Sequence, residues 1–227
     1  MPANPHEVPI RNRDGSDFFI APHPVLAVDA VRYVGEPVAV VVAETLTEAM
    51  DAAEHVSIVY RPLAAVARSH DALTSQALPV WAQRDSNLCI DSEVGDREAT
   101  EAAFVRATHV VRLQTTINRV TGVPMELRAA LGAYDPAAGH FTVYTSSGDG
   151  VIRQRDDIAG ALGVAKDAVR VISGDVGGNF GIRNNTYPEF VLVAWAAKRA
   201  AVCREGHRSF DRPFRDCRRH PERCRSA

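Results

Sequence analysis

Val169-Arg170-Val171-Ile172-Ser173-Gly174-Asp175-Val176-Gly177-Gly178-Asn179-Phe180-Gly181-Ile182-Arg183, continuing as Asn184-Asn185-Thr186-Tyr187-Pro188-Glu189, decides how the rest of this chain is read. Val169–Ile172 is three-quarters β-branched and predicts a buried strand. Four glycines within the next eight-residue loop let the backbone bend and come close to a bound group. Thr186 and Glu189, three positions apart with Pro188 between them, predict a capping box that starts a helix. Strand, glycine loop and helix start in succession suit an anion-binding corner, because unpaired backbone N–H groups gather there. On these residues alone two readings stand, an anion corner and a simple tight turn.

The flanking sequence supplies the elements around that loop. A hairpin is predicted from Leu131–Tyr134 and Phe141–Thr145 across Asp135-Pro136-Ala137-Ala138-Gly139. A helix over Val151–Leu162, stopped by Gly163, then leads to the Val169 strand. Beyond the loop, Phe190, Val191, Val193, Ala194 and Ala197 mark a long, mostly buried helix. Towards the N-terminus, order begins at Val31–Val34, and after a turn at Gly35-Glu36-Pro37 the unbroken apolar run Val38–Ala43 reads as a buried strand. Thr45 and Glu48 predict another capping box, for a helix with Leu46, Ala49, Met50 and Ala53 on its apolar face. Val56–Tyr60 returns as a strand. Residues 63–92 read as a connector with a short helix near Asp71–Leu78. A helix over Asp96–Ala107 follows, then an alternating strand over His109–Ile117.

The 227 residues are enough for one large or two small domains with a real core. No apolar run approaches the roughly 20 residues of a membrane span, and Met1–Asp17 has no apolar leader core, so a cytoplasmic location without membrane contact is expected. Cys89, Cys203, Cys217 and Cys224 show no C-x-x-C pair, which argues against a zinc or iron–sulfur site on this chain. His70, His109 and His140 have no partners at ligand spacing and read as surface or structural. The net charge of −2 hides an asymmetry: residues 1–200 carry 18 Lys+Arg against 24 Asp+Glu, whereas 201–227 carry 8 against 4. Residues 202–227 have no apolar period and read as an unstructured basic tail. A nucleic-acid-binding tail would need aromatic residues set for stacking, which are missing, so a change of reading frame after Ala200 is the favoured origin and no nucleic-acid partner is expected.

Val31-Arg32-Tyr33-Val34-Gly35-Glu36-Pro37-Val38-Ala39-Val40-Val41 resembles the signature of the a/b hammerhead domain of the xanthine dehydrogenase and aldehyde oxidase family, the molybdenum hydroxylases. Gly174–Gly181 is similar to that family's G-G-x-F-G loop, and Tyr187-Pro188-Glu189 to the segment after it. Asn118–Ala130 and Ala161-Leu162-Gly163-Val164 also fit the molybdopterin-binding large subunits, including those like carbon monoxide dehydrogenase. The resemblance covers about residues 8–200. It implies an α+β fold: a partial a/b hammerhead domain over 1–65, a connector over 66–95, and an α/β fragment of the first molybdopterin-binding domain over 96–201.

The resemblance also implies chemistry. A molybdenum hydroxylase hydroxylates an aldehyde or N-heterocycle with water as oxygen source. Its cofactor is Mo-molybdopterin, in bacteria usually the cytosine dinucleotide form, with FAD and 2Fe-2S centres often carried on a medium and a small partner subunit. Gly177, Gly178, Phe180 and Gly181 match the loop lying against the molybdenum site and are the expected cofactor-binding residues; without the motif, Phe180 would read as a core aromatic. Glu126 sits in a loop that approaches the cofactor in relatives, but its simplest reading is a solvated acid or an Arg128 partner. No catalytic residue or metal ligand is assigned.

Three departures qualify the match. Leu127 stands where many relatives have proline, Ser146-Ser147-Gly148-Asp149-Gly150 replaces a Ser-Ser-Gln-Gly pattern, and Asn179 replaces the commoner third glycine. Family large subunits are several times longer, and their catalytic glutamate would lie beyond Ala200. The expectation is therefore a truncated large subunit, and the alternative is a non-catalytic fragment or binding module. A nicotinamide dehydrogenase would need G-x-G-x-x-G near a first strand, and the spacing here is G-G-x-x-G late in the chain.

Overall fold

A computed structural model describes residues 11–74, 76–117, 120–148, 150–200 and 204–207, the last four by backbone alone. The secondary structure mixes four helices with one four-stranded sheet: α1 Leu46–Glu54, α2 Arg97–Arg106, β1 Ala129–Asp135, β2 His140–Thr145, α3 Val151–Leu162, β3 Val169–Ile172, α4 Pro188–Ala200 and β4 Arg204–His207. Strand order in the sheet is β3-β2-β1-β4. β1 pairs antiparallel with β2 and with β4, while β2 and β3 run parallel, joined by α3 as a crossover helix. The class is α+β, as the sequence implies.

The predicted hairpin, crossover helix and loop-leading strand all form. Asp135 Oδ1 accepts from Ala137 N at 2.9 Å and closes the hairpin turn. Gly163, at φ 68°, ends α3 with a left-handed cap. The buried face of the sheet carries Ala130, Phe141, Val143 and Val169, and Ile158 and Ala159 of α3 and Phe190, Val191, Val193 and Ala194 of α4 complete the core. Helix α4 lies close over β1, since a Cβ on Gly132 would fall 2.5 Å from Val193 O. Glycine at 132 is what permits that approach.

Several expected elements take another form. Val38–Ala43 and Val56–Tyr60 form no strand and join no ladder among the described residues, and Val38, Val40 and Val42 are 37%, 38% and 43% exposed. An apolar run supplies the propensity for a buried strand, but a strand also needs a partner edge and a covering layer. The alternating segment His109–Ile117 forms no strand for the same reason, with Val111, Leu113 and Ile117 about nine-tenths exposed. The helix expected near Asp71–Leu78 shrinks to a 3₁₀ turn, Asp71–Leu73. Asn87 Nδ2 donates to the carbonyls of Ala72 and Leu78, both at 3.1 Å, and the first of these is an acceptor that a longer helix would use. By contrast α1 and its Thr45–Glu48 capping box form as predicted, and Asp96 caps α2.

The capping box expected from Thr186 and Glu189 does not form. Pro188 is the first residue of α4. Thr186 Oγ1 instead donates to Asp157 Oδ2 at 2.7 Å, and Glu189 pairs with Arg128 at 2.5 Å. Both side chains have tertiary partners with more to offer than a helix end. Within the expected basic tail, Arg204–His207 forms β4, whose backbone pairs with Ala129–Gly132; the rest of the tail lies outside the described residues.

The described chain divides into two compact units. One contains Pro22–Pro62 and the residues from Gly122 onward, including the sheet, α1, α3 and α4. The other joins the segment ending at Ala21 to Leu63–Thr121, so the expected 66–95 connector and α2 belong to it. In the second unit Arg13 meets Asp91 at 2.6 Å, and Arg84 stacks on Phe19 at 4.7 Å. Among the described residues no helix is long and apolar enough to cross a membrane.

Candidate functional site

The site is built at the strand exits of the first unit. β2 and β3 are parallel, so both chains leave the sheet at the same end, the usual place for ligands in α/β units. Ser173, just after β3, holds Ser147, just after β2: its Oγ donates to Ser147 O at 2.9 Å and accepts from Ser147 N at 3.3 Å. The glycine loop starts from this tied pair.

Loop shape is set by backbone conformations that only glycine adopts freely. Gly178 has φ 109° and Gly181 φ 79°, and Phe180 is the one described non-glycine residue at positive φ, 51°. A Cβ on Gly177 would fall 2.8 Å from Glu126 Oε2, so the carboxylate occupies the space a side chain would need. The Phe180 ring is 75% exposed, so it is not a core aromatic.

Glu126 is the partner that closes the loop. Its Oε2 accepts from Gly177 N, and its Oε1 accepts from Arg183 Nη1 at 2.7 Å. Arg183 Nη2 also donates to the Glu126 carbonyl. The expected pairing of Glu126 with Arg128 is therefore wrong. Arg128 is taken by Glu189 and by the Tyr187 ring, 3.4 Å from its guanidinium carbon. Arg183 is only 2% exposed, whereas the Glu126 side chain is 41% exposed. The Arg183 hydrogen bond, opposed by burial and assisted by the Gly177 amide, holds the Glu126 carboxyl below its ordinary range.

Asn179 folds the loop from within. Its Oδ1 accepts from Gly181 N at 3.0 Å and Arg183 N at 3.3 Å, and its Nδ2 donates to Asn184 Oδ1 at 2.6 Å. Two of the sequence's departures meet here. A Cβ on Gly148 would lie 2.3 Å from Asn179 Nδ2, so a larger residue at 148 and this placement of Asn179 exclude one another. Asp149 lies outside the described residues.

Beneath the loop runs a buried polar chain. Thr145 Oγ1 donates to Gln154 Oε1 at 3.0 Å, Gln154 Nε2 to Ser147 Oγ at 2.5 Å, and Ser147 Oγ to Arg183 O at 3.3 Å. Sequence reading passed over Arg183 and Gln154. Gln154 does carry a signal: it stands in the i, i+4, i+8 row with Ile158 and Leu162, a polar residue on a core-facing stripe.

The sequence-predicted residues thus divide by what their amides do. Gly177 spends its amide on the Glu126 carboxylate and Gly181 on Asn179 Oδ1. The amides of Gly178, Asn179 and Phe180 donate to no group among the described residues. Three successive unpaired donors next to positive-φ residues are the kind of backbone that accommodates an anion or carbonyl and oxo oxygens. No group of three or more His, Cys, Asp or Glu set to hold a metal occurs among the described residues.

Comparison with known proteins places these features in a wider context. The model of the molybdopterin cofactor-binding domain family matches residues 80–203, and that of the aldehyde oxidase and xanthine dehydrogenase a/b hammerhead domain matches residues 4–64. The chain is 38% identical over 183 residues to the 6-hydroxypseudooxynicotine dehydrogenase complex subunit gamma of Paenarthrobacter nicotinovorans, covering 79% of this chain and 22% of that protein. It is 31% identical to the carbon monoxide dehydrogenase large chain of Hydrogenophaga pseudoflava, covering 76% and 23%. The crystal structure of quinoline 2-oxidoreductase from Pseudomonas putida 86 superposes with a TM-score of 0.75 at 30% identity, over 83% of this chain and 24% of that one. The chain therefore spans less than a quarter of the length of these relatives.

Proposed function

The chain belongs to the molybdopterin-binding aldehyde oxidase and xanthine dehydrogenase family, and from that premise we propose that it supplies the cofactor-facing loop of a molybdenum-dependent hydroxylase large subunit. The observation that carries the proposal is the row of three unpaired amides, Gly178 to Phe180, in the family's glycine motif.

These residues fit the cofactor by donor chemistry. Oxo ligands and pterin or phosphate oxygens are acceptors, and the loop offers backbone donors fixed in space. Gly178 and Phe180 would hold such oxygens through their N–H groups. Gly177 and Gly181 would let the loop approach closely, and the exposed Phe180 ring would cover the site's apolar side. The neighbouring carboxylate, Glu126, does not repel an anionic group strongly, because Arg183 balances its charge. When bound, Mo-molybdopterin, in the cytosine dinucleotide form, would supply oxidation of a C–H bond with oxygen from water. The chain's own part is to bind, orient and exclude water around that group.

The substrate class proposed is an aldehyde or N-heterocycle. The partners proposed are an FAD-binding medium subunit and a 2Fe-2S small subunit, with the whole assembly cytoplasmic. One relative is named as a subunit of a dehydrogenase complex, which supports partner subunits here. The second reading is a binding module without its own turnover. Dye reduction by the chain together with its partner subunits, run in ¹⁸O-water with aldehydes and N-heterocycles, tests the first reading. Hydroxylated product carrying ¹⁸O is expected; cofactor binding without product would favour the second.

A further inference from the structure

The amides of Gly178, Asn179 and Phe180 stay unpaired while the loop keeps its present fold, and a side-chain pair outside the glycine motif bridges that loop. We propose that Arg183 and Glu126 form a clamp that fixes the Gly177–Gly181 backbone, making both of them positioning residues for whatever the amides bind.

Three observations converge on this. Glu126 uses its two carboxylate oxygens on different targets, Gly177 N at the start of the loop and Arg183 Nη1 at its end. The carboxylate thus spans the loop and fixes the separation of its two feet. Arg183 is 2% exposed and is held at several points: both Nη groups by Glu126, its N–H by Asn179 Oδ1, its carbonyl by Ser147 Oγ and by Gly148 N at 3.4 Å. A buried guanidinium cannot shed its charge, so it needs a fixed acceptor set, and Glu126 supplies it through both carboxylate and carbonyl. Ser147 is in turn held by Gln154, itself 1% exposed, which connects the clamp to the core at the end of β2. The loop is therefore referenced to the sheet through side chains rather than through its own glycines, which hold no shape unaided.

A positioning role differs from a local hydrogen bond in what moves when the pair is broken. Losing the Glu126 carboxylate directly frees the Arg183 guanidinium and, among backbone amides, only Gly177 N. Gly181 N and Arg183 N are bonded to Asn179, not to Glu126, so they respond only if the clamp sets the conformation of the whole loop.

Only the statement that these amides serve a molybdenum–pterin group rests on the function proposed above; the clamp is measured without any cofactor. Residue-resolved amide exchange by NMR on the full cofactor-free chain compares wild type with Glu126→Gln, Arg183→Met and Arg183→Lys. We expect Gly181 and Arg183 or residue-183 amides to exchange about tenfold faster in Glu126→Gln and Arg183→Met, with partial recovery in Arg183→Lys. The β1 and β2 amides act as the folding reference and should keep their protection. Faster exchange confined to Gly177, or loss of protection across β1 and β2 together in Glu126→Gln, would overturn the clamp. Because Glu126 is partly exposed, its glutamine variant keeps the test open if the Arg183 variants fail to fold.

Discussion

At the scale of single residues, the account turns on a carboxylate that bridges. Glu126 has its acidity raised by Arg183 and by the Gly177 amide, so its folded-state carboxyl titrates below the ordinary value of 4.5. A lowered carboxyl contributes stability that is complete above its unfolded value and is lost as pH falls through the folded one. We therefore expect Glu126→Gln to be less stable than wild type at neutral pH, by about 1 kcal/mol given the solvent screening of a partly exposed acid. That gap should close as pH drops below about 4.5. Denaturant titrations of both proteins across this range check it, and a gap independent of pH would remove charge from the explanation. This pairing was not legible in the sequence. Glu126 and Arg183 are far apart along the chain, and Arg128, two positions from Glu126, looked the nearer partner until Glu189 and Tyr187 claimed it. The unusual backbone of the motif, by contrast, was legible, because a run of glycines suits the positive φ that Gly178 and Gly181 adopt.

At the scale of elements, prediction succeeded where a segment carried its own stop signals and its partners lay close in sequence. β1, β2, α3 and β3 follow one another with short turns, and Gly139 and Gly163 mark two of those ends. Prediction failed where a strand needed an edge that the described chain does not provide, as at Val38–Ala43 and His109–Ile117. It also failed at the start of α4, where local capping chemistry lost to Asp157 and Arg128 across the fold. The contact of α4 with β1 was illegible too, though Gly132 in the middle of a strand is the trace it leaves. Gly132→Ala should cost about 1–3 kcal/mol, because the new methyl would meet the Val193 carbonyl of α4. A shift in the midpoint of unfolding measures it; an unchanged midpoint would mean that α4 can move away from the sheet freely.

At the scale of the whole molecule, each unit shows exposed apolar residues on backbone that joins no ladder among the described residues. Val111, Leu113 and Ile117 share one parity along such a segment, and exposed apolar residues on unpaired backbone favour association with other chains. Concentration-dependent association in sedimentation velocity, with binding of a hydrophobic dye, is expected, and Val111→Thr with Leu113→Thr and Ile117→Thr should lower both. A chain that stays monomeric and binds no dye would contradict this. Family membership rests on two matches in chain order, yet the proposed activity rests on one loop. Molybdenum and pterin content of the purified chain, from cells that make the cofactor, tests that loop most directly, with wild type set beside Gly178→Val. Residue 178 holds φ 109°, and a Cβ there would meet the Phe180 ring at 2.8 Å, so valine should disturb the free amides. Molybdenum and pterin retained by wild type and lost from Gly178→Val is the predicted result; neither present in wild type, or equal amounts in both, would contradict it.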